Sequence, residues 1–441
     1  MLFSRDSGGP SSIRTGFITA IALVLCGCAT LNQPYIAGSN DYEFSTVAPH
    51  TNSRSLFVCL SFSGGGTRAA ALSYGVLKKL RETQINWEGE TKSLLDEVDC
   101  ISSVSGGSFT AAYYGLFGDR VFDDFRATFL DKNIQLSIAG QLLNPINLAR
   151  LASPYFSRID LAAEYYDKHV FERHTFATLA DNSGPFLLIN ATNMANGQQF
   201  SFTQEQFKYL ASDLRSYPVA RAVAASSAFP FLLSPITLRN YPATTDLKLP
   251  DLRGALEDYV DNRRRYDQAV GRHQYATQKQ RLPYLHLMDG GLADNLGLRA
   301  IMSEYRRGFV RQAINQDTVK KFVVIVVNAR TKGKDGISDS RATPGLIDVG
   351  GATATVAMEN YSAETLAVMH DLAREREKVS DMLTQCQSMP GGCGIESMLA
   401  SEGLAPYVID VGFEALSDKK EREKFLAMGT NFSLPKTQID D

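Results

Sequence analysis

Twice along this chain an uninterrupted apolar run breaks into glycines and then into a helix-favouring stretch. The run Leu56-Phe57-Val58-Cys59-Leu60-Ser61-Phe62 meets Ser63-Gly64-Gly65-Gly66-Thr67-Arg68 before a helical segment from Ala69 to Leu80. The run Val98-Asp99-Cys100-Ile101-Ser102-Ser103-Val104 meets Ser105-Gly106-Gly107 before the helical Phe109 to Tyr114. Short apolar runs bounded by glycine read as strands buried on both faces, and strand, turn and helix in succession open an α/β unit. Further strands are predicted at Pro185 to Asn190, Tyr284 to Met288 and Phe322 to Val327. The expected fold class is therefore α/β: three layers, with a mostly parallel central sheet covered by helices on both faces. No repeat of about 20 to 50 residues interrupts this grammar.

A chain of 441 residues with 44% hydrophobic content has enough apolar material for one large domain or two to three ordinary ones. Charged residues make up 21% and the formal net charge is −3, with acids and bases interleaved. That pattern carries no extended basic footprint, so nucleic acid is excluded as a partner.

The N-terminus differs in composition. Arg5 and Arg14 precede the apolar run Phe17 to Leu25, which ends in Leu25-Cys26-Gly27-Cys28. A short apolar run followed by small residues is the grammar of a signal peptide, and a cysteine directly after it matches a bacterial lipobox. Residues 1–27 are expected to be a lipoprotein signal peptide, with Cys28 as the lipidation site. An ordinary signal peptide that happens to contain cysteines is the alternative. The lipobox reading places the protein as a bacterial membrane-anchored lipoprotein on the periplasmic or outer-membrane face, in an oxidising compartment. Residues 28–54, polar, Pro-containing and aperiodic, read as the lipidated cysteine and its tether, and residues 55–441 as the folded domain.

The remaining cysteines divide in two. Cys386 and Cys393 flank Gln-Ser-Met-Pro-Gly-Gly, a turn that favours a local disulfide in an exported protein. Cys59 and Cys100 lie in apolar strand-like runs and read as buried, inert thiols. Residues 251–281 are highly charged with a thin apolar stripe, as expected of a solvated helical insertion. Ile134 to Phe156 carries many Leu and Ile residues with few charges; ordinary core is the first reading and a membrane-facing lid over a lipid site the second.

Three glycine turns carry the candidate chemistry. Gly64, Gly65 and Gly66, between a strand and a helix, allow backbone amides to point into a cavity at a positive helix end, as an oxyanion hole requires. A phosphate cradle is the competing reading, but the Gly-Lys-Ser/Thr of a nucleotide loop is missing. Ser105, between a buried strand and Gly106-Gly107, has the setting of a nucleophile elbow, with Ser103 standing where glycine is usual. A serine-rich turn is the bland alternative. Asp289-Gly290-Gly291 follows the strand at Tyr284 to Met288, and a carboxylate at a strand's C-terminal end can meet the serine from a neighbouring strand. Asp289 is then the base or the base's orienter, against the plainer reading of an Asp-Gly turn; Asp294 reads as a helix cap. Histidine finds no place. His286 lies three residues before Asp289, and odd spacing sends the two side chains to opposite faces of a strand. His50, His169, His174, His273 and His370 flank no glycine turn. A Ser-Asp dyad follows. No calcium-loop or zinc-type spacing is present, so the expectation is chemistry without metal or cofactor.

Gly-Gly-Gly-Thr-Arg at 64–68, Ser-Val-Ser-Gly-Gly at 103–107 and Asp-Gly-Gly at 289–291 together resemble the patatin-like phospholipase family. Arg221-Ala-Val-Ala-Ala-Ser-Ser-Ala-Phe-Pro230 is similar to the family's Ala-Ser-x-Ala-x-Pro segment, and Phe432-Ser-Leu-Pro435 to its closing block. The resemblance spans roughly residues 55 to 436. It implies a patatin-like fold, Ser105 and Asp289 as catalytic dyad, an oxyanion hole from Gly64, Gly65 and Gly66, and Arg68 at the family's basic position as a substrate-binding candidate. The implied activity is hydrolysis of acyl esters in phospholipid or lysophospholipid through an acyl-enzyme. Two other functions stay open: a non-catalytic, membrane-tethered lipid-binding protein on the same fold, and a serine esterase acting on other esters.

Overall fold

The computed structural model describes residues 32–35, 42–44, 52–242, 249–260, 262–332, 338 and 341–441. The proposed signal peptide and Cys28 lie outside the described residues. In chain order the elements that position the site begin with the short strand β1 (Gln33–Pro34) and β2 (Leu56–Phe62), which leads into α1 (Thr67–Glu82). The hairpin of β3 (Gln84–Trp87) and β4 (Glu90–Ser93) follows, then β5 (Val98–Val104) and α2 (Gly106–Phe117). Next come α3 (Ile134–Gln141), α4 (Pro145–Leu151), α5 (Arg158–His169), β6 (Phe186–Asn193), β7 (Gln199–Ser201), β8 (Ser212–Asp213), α6 (Val219–Ser226) and β9 (Ile236–Arg239). The chain continues through α7 (Arg263–Thr277), β10 (Tyr284–Asp289), α8 (Gly291–Asp294), α9 (Leu298–Arg307), β11 (Lys321–Asn328), the 43-residue α10 (Leu346–Ser388) and β12 (Pro406–Gly412).

The main sheet runs β12-β11-β2-β5-β6-β10-β9, with β7 beside β6. From β12 to β6 every pairing is parallel. Every residue of β2, β5 and β6 is buried, so both faces of the centre are covered, as their continuous apolar runs predict. The far edge reverses: β10 is antiparallel to β6 and to β9. The pairing of β10 with β6 is confined to the C-terminal tip of β6, with Asp289 opposite Ala191. Because β5 ends at Val104 opposite Asn190, the antiparallel β10 brings its own C-terminal end down to the level of Ser105. Asp289 reaches the serine by this reversal of β10.

Three expectations are corrected. Residues 32–35 and 42–44 are not tether. Asn32 is buried and its carboxamide bonds Ser212 and both backbone groups of Arg239, while β1 pairs with β8. Tyr42 stacks on Phe186 at 4.6 Å and Phe44 packs on the same ring at 4.3 Å, so this segment closes the core. Cys59 and Cys100 are not free thiols. Adjacent parallel strands place them as register partners, 4.6 Å apart at Cα, and they form a disulfide. Cys386 and Cys393 are bridged as expected. Finally, Ile134 to Phe156 is not ordinary core, because Leu136, Leu143, Ile146 and Leu148 on α3, α4 and the turn between them are exposed.

The charged stretch 251–281 does form helix, and α7 buries only Ala269, Gly271, Tyr275 and Ala276. Among the described residues no helix is long and apolar enough to cross a membrane.

Candidate active site

Ser105 occupies the corner between β5 and α2 with φ 49° and ψ −118°, a backbone conformation that L-residues rarely adopt. Holding it costs on the order of 1 to 3 kcal/mol and needs support from outside. Ser226, the last residue of α6, gives that support. Its hydroxyl accepts the Ser105 N–H at 2.8 Å and donates its single proton to the Asn190 carbonyl at 2.6 Å. Its remaining lone pair meets the Ser108 hydroxyl at 3.0 Å, which acts as donor there. The Ser226 carbonyl accepts the Gly290 N–H at 3.1 Å, so one residue braces both the turn that holds Ser105 and the turn that carries Asp289. Ser103 is accommodated in the elbow, buried and with its hydroxyl unpartnered.

The glycine loop and the elbow meet backbone to backbone. A Cβ on Gly106 would overlap the Gly66 carbonyl, and one on Gly107 would lie 2.7 Å from the Ser63 carbonyl oxygen. Only glycine permits this approach. The approach leaves Gly64 3.4 Å, at the position of a notional Cβ, from the Ser105 Cβ. Of the three expected oxyanion donors, Gly64 is committed elsewhere, since its N–H donates to the Asn295 carbonyl at 2.9 Å. Among the described residues the N–H groups of Gly65 and Gly66 meet no acceptor, which leaves them available to a developing oxyanion.

Arg68 is not placed to bind substrate. Its guanidinium donates to the carbonyls of Ala329 at 2.9 Å, Met428 at 3.0 Å and Gly429 at 2.9 Å, and to the Thr430 hydroxyl at 3.3 Å. Burial lowers its pKa to about 10, with Glu359 opposing that shift. The side chain ties the C-terminal segment under the glycine loop, where the Asn431 carbonyl accepts the Thr67 N–H at 2.8 Å. It shapes the glycine loop from below.

Asp289 is buried, as is Ser105, at 2% and 6% exposure. Its carboxylate accepts the Gly291 N–H at 2.8 Å, its backbone N–H donates to Ala228 at 3.0 Å, and its carbonyl accepts the Thr192 hydroxyl at 2.7 Å. Burial pushes the carboxyl up to about 7, against the hydrogen bonds from Gly291 and the Ser105 side chain that favour the ionised form. A base near neutrality, touching a serine held in a tight elbow, can remove the hydroxyl proton as the oxygen attacks.

The sequence left four neighbours of the dyad unread: Ser226, Asn190, Thr192 and Asn295. Ser226 lay inside the Ala-Ser block, but nothing in the block announced a brace. Asn295 is placed between the two halves of the site. Its side-chain oxygen is buried without a partner and lies against both Gly64 and Gly291. Asp294 accepts the Arg299 N–H at 2.8 Å and caps α9 as expected. Among the described residues no histidine hydrogen-bonds either dyad member: His286 faces Thr237, His174 faces Thr178 and His370 pairs with Asp410. Met358 of α10 packs on Gly291, so the long helix roofs the dyad.

No curated protein matches the chain. Solved structures similar to it include human GIVD cytosolic phospholipase A2, with 13% identity, 71% of this chain and 48% of that chain covered, and a TM-score of 0.37. Another is full-length ExoU of the Pseudomonas aeruginosa type III secretion system, in complex with SpcU, with 14% identity, 80% and 77% coverage and a TM-score of 0.23. The chain spans about half the length of the human enzyme that it matches. The match at the level of family is firmer. Residues 60–302 fit the family described as Patatin-like phospholipase. That stretch is more than half of the chain and contains the glycine loop, the elbow and the Asp289 turn, and this protein belongs to the patatin-like phospholipase family.

Proposed function

We propose that this protein is a lipid acyl hydrolase of the phospholipase A or lysophospholipase type, acting through a Ser-Asp dyad. The observation that carries the reading is Ser105 in its left-handed elbow beside a buried Asp289 whose pKa is raised to about 7. In the ionised form Asp289 accepts the Ser105 proton while the serine oxygen attacks the ester carbonyl. The N–H groups of Gly65 and Gly66 stabilise the oxyanion. Collapse of the tetrahedral intermediate breaks the ester C–O bond, the proton passes from Asp289 to the leaving alcohol, and Ser105 keeps the acyl group. Water, deprotonated by Asp289, then attacks the acyl-enzyme, releasing fatty acid and returning the proton to Ser105.

Membrane phospholipid or lysophospholipid is the substrate class, and the Leu25-Cys26-Gly27-Cys28 run supports a lipid tether at Cys28 on an exported, membrane-anchored protein. Two disulfides suit an oxidising compartment. A fluorophosphonate probe tests the chemistry. Labelling of the wild type, loss of label in Ser105→Ala and loss of fatty-acid release in a folded Asp289→Ala are expected. An unlabelled, folded wild type would instead favour a lipid-binding protein without catalysis.

A further inference from the structure

Between Lys132 and Arg158 the chain holds two short helices that anchor through Ile134 in the core yet leave several large apolar side chains exposed. Leu143, in the turn between α3 and α4, is 83% exposed, and Leu136, Ile146, Leu148 and Tyr155 are each more than half exposed. Large apolar side chains gathered in this way on a soluble face mark an interaction surface. The only charged residue from Ile134 to Ser157 is Arg150. Its guanidinium pairs with Glu164 and stacks 3.8 Å over the Phe156 ring, so its charge is turned back into the protein. The face therefore offers hydrocarbon without a free charge, and exposed Lys132 and Arg158 stand at its edges.

A second segment extends the face toward the dyad. Arg158 donates to the Phe231 carbonyl at 3.4 Å. Phe231 has φ 68°, a strained conformation for a bulky residue, yet its ring is exposed and rests on Gly350 of α10. It follows closely on Ala228, which holds the Asp289 N–H, and α10 is the helix that roofs Gly291 through Met358. The apolar face is thus joined to the end of the sheet where Ser105 and Asp289 meet.

We propose that this face docks into the outer part of a phospholipid bilayer, with Leu143 as the deepest residue and Lys132 and Arg158 at the level of the headgroup phosphates. The proposal rests on the lipid-hydrolase reading for its choice of lipid over a second copy of this chain. Insertion of apolar side chains between headgroups, with basic residues at the rim, is the geometry of a helix pair lying on a membrane. Docking there presents the roofed site to lipid, while a tether at Cys28 alone leaves the orientation of the domain free.

The native chain has a single tryptophan, Trp87, on the β3–β4 hairpin, where its indole N–H donates to the Ser55 hydroxyl before the start of β2. That is the opposite end of the sheet from the dyad, so Trp87 serves as an internal control. The lipid-anchored full chain, as wild type and as Leu143→Trp, is reconstituted in phosphatidylcholine vesicles with brominated acyl chains. Wild-type emission is expected to be unchanged, and the added emission of Leu143→Trp to be quenched and blue-shifted. The paired Leu143→Asp, Ile146→Asp variant should lose at least about tenfold in hydrolysis of vesicle phospholipid, with kcat/KM on soluble p-nitrophenyl butyrate unchanged. Unquenched Leu143→Trp in an enzyme that hydrolyses the vesicles overturns the proposal. So does a wild-type dimer that dissociates in the paired variant, which assigns the face to a second copy. Quenching in a protein that hydrolyses neither substrate keeps the docking face and removes the hydrolase reading instead.

Discussion

At the scale of single residues, the site depends on side chains whose roles follow from what they touch. Arg68 stands where a substrate-binding residue was expected, yet its donors are spent on the backbone of residues 329 and 428–429 and on Thr430. Arg68→Met is therefore expected to lower stability by about 2 to 4 kcal/mol, because buried carbonyls lose their donors. Urea unfolding measures the loss; a raised KM at unchanged stability would restore Arg68 as a substrate ligand. With Asp289 as the proposed base, the pH dependence should follow its carboxyl. Its carboxyl is held near 7 by burial, and only the ionised form is a base. On a soluble ester, kcat/KM should fall on the acid side with an apparent pKa near this value, and a limb in the ordinary carboxylate range would show that another group is titrating.

Among elements, the two glycine turns are held together from opposite sides. Ser226 at the end of α6 braces the elbow and the Asp289 turn, and α6 is itself fixed to α5 by the buried Arg221–Asp160 pair at 3.0 Å. Ser226→Ala leaves the buried Ser105 N–H unpaired, which costs about 1 to 3 kcal/mol. Relaxation of the elbow should lower kcat far more than it changes KM, and equal kinetics in the variant would mean that β5 and α2 alone hold Ser105. Below the turns, the Cys59–Cys100 bond joins β2 to β5, the strands that end in the glycine loop and in Ser105. Their separation of 41 residues corresponds to about 4 kcal/mol of loop-closure entropy in the unfolded chain. Replacing both cysteines by alanine should reduce unfolding free energy by an amount of that order, read from denaturant midpoints at equal m-value.

Across the whole molecule, burial raises several carboxyls together: Asp289, Asp294 and Glu304 to about 7, and Asp99 to about 8. Each binds its proton more tightly folded than unfolded. The stabilisation this gives is complete below the unfolded value near 4 and is lost as pH rises through the folded value. Asp99 accepts the Val58 N–H at 2.7 Å, a bond that an asparagine oxygen preserves. Asp99→Asn should therefore gain stability over the wild type at about pH 9 and little at about pH 4, and an equal change at both would separate Asp99 from the pH dependence.

The sequence by itself determined the local grammar: which runs are buried strands, where glycine turns interrupt them, and which serine and aspartate sit at the corners. It did so because strand burial and turn geometry depend on neighbours in the chain, and because His286 and Asp289 fall on opposite faces by spacing alone. The tertiary structure decided whatever depends on partners distant in sequence. It set the reversal of β10 that carries Asp289 to Ser105 and the register that bridges Cys59 with Cys100. It also committed Gly64 to Asn295, turned Arg68 from substrate toward the C-terminal segment, and drew Tyr42 and Phe44 into the core. Each is a matter of strand order and loop packing, and a residue's own neighbours carry no record of which distant backbone will lie against it.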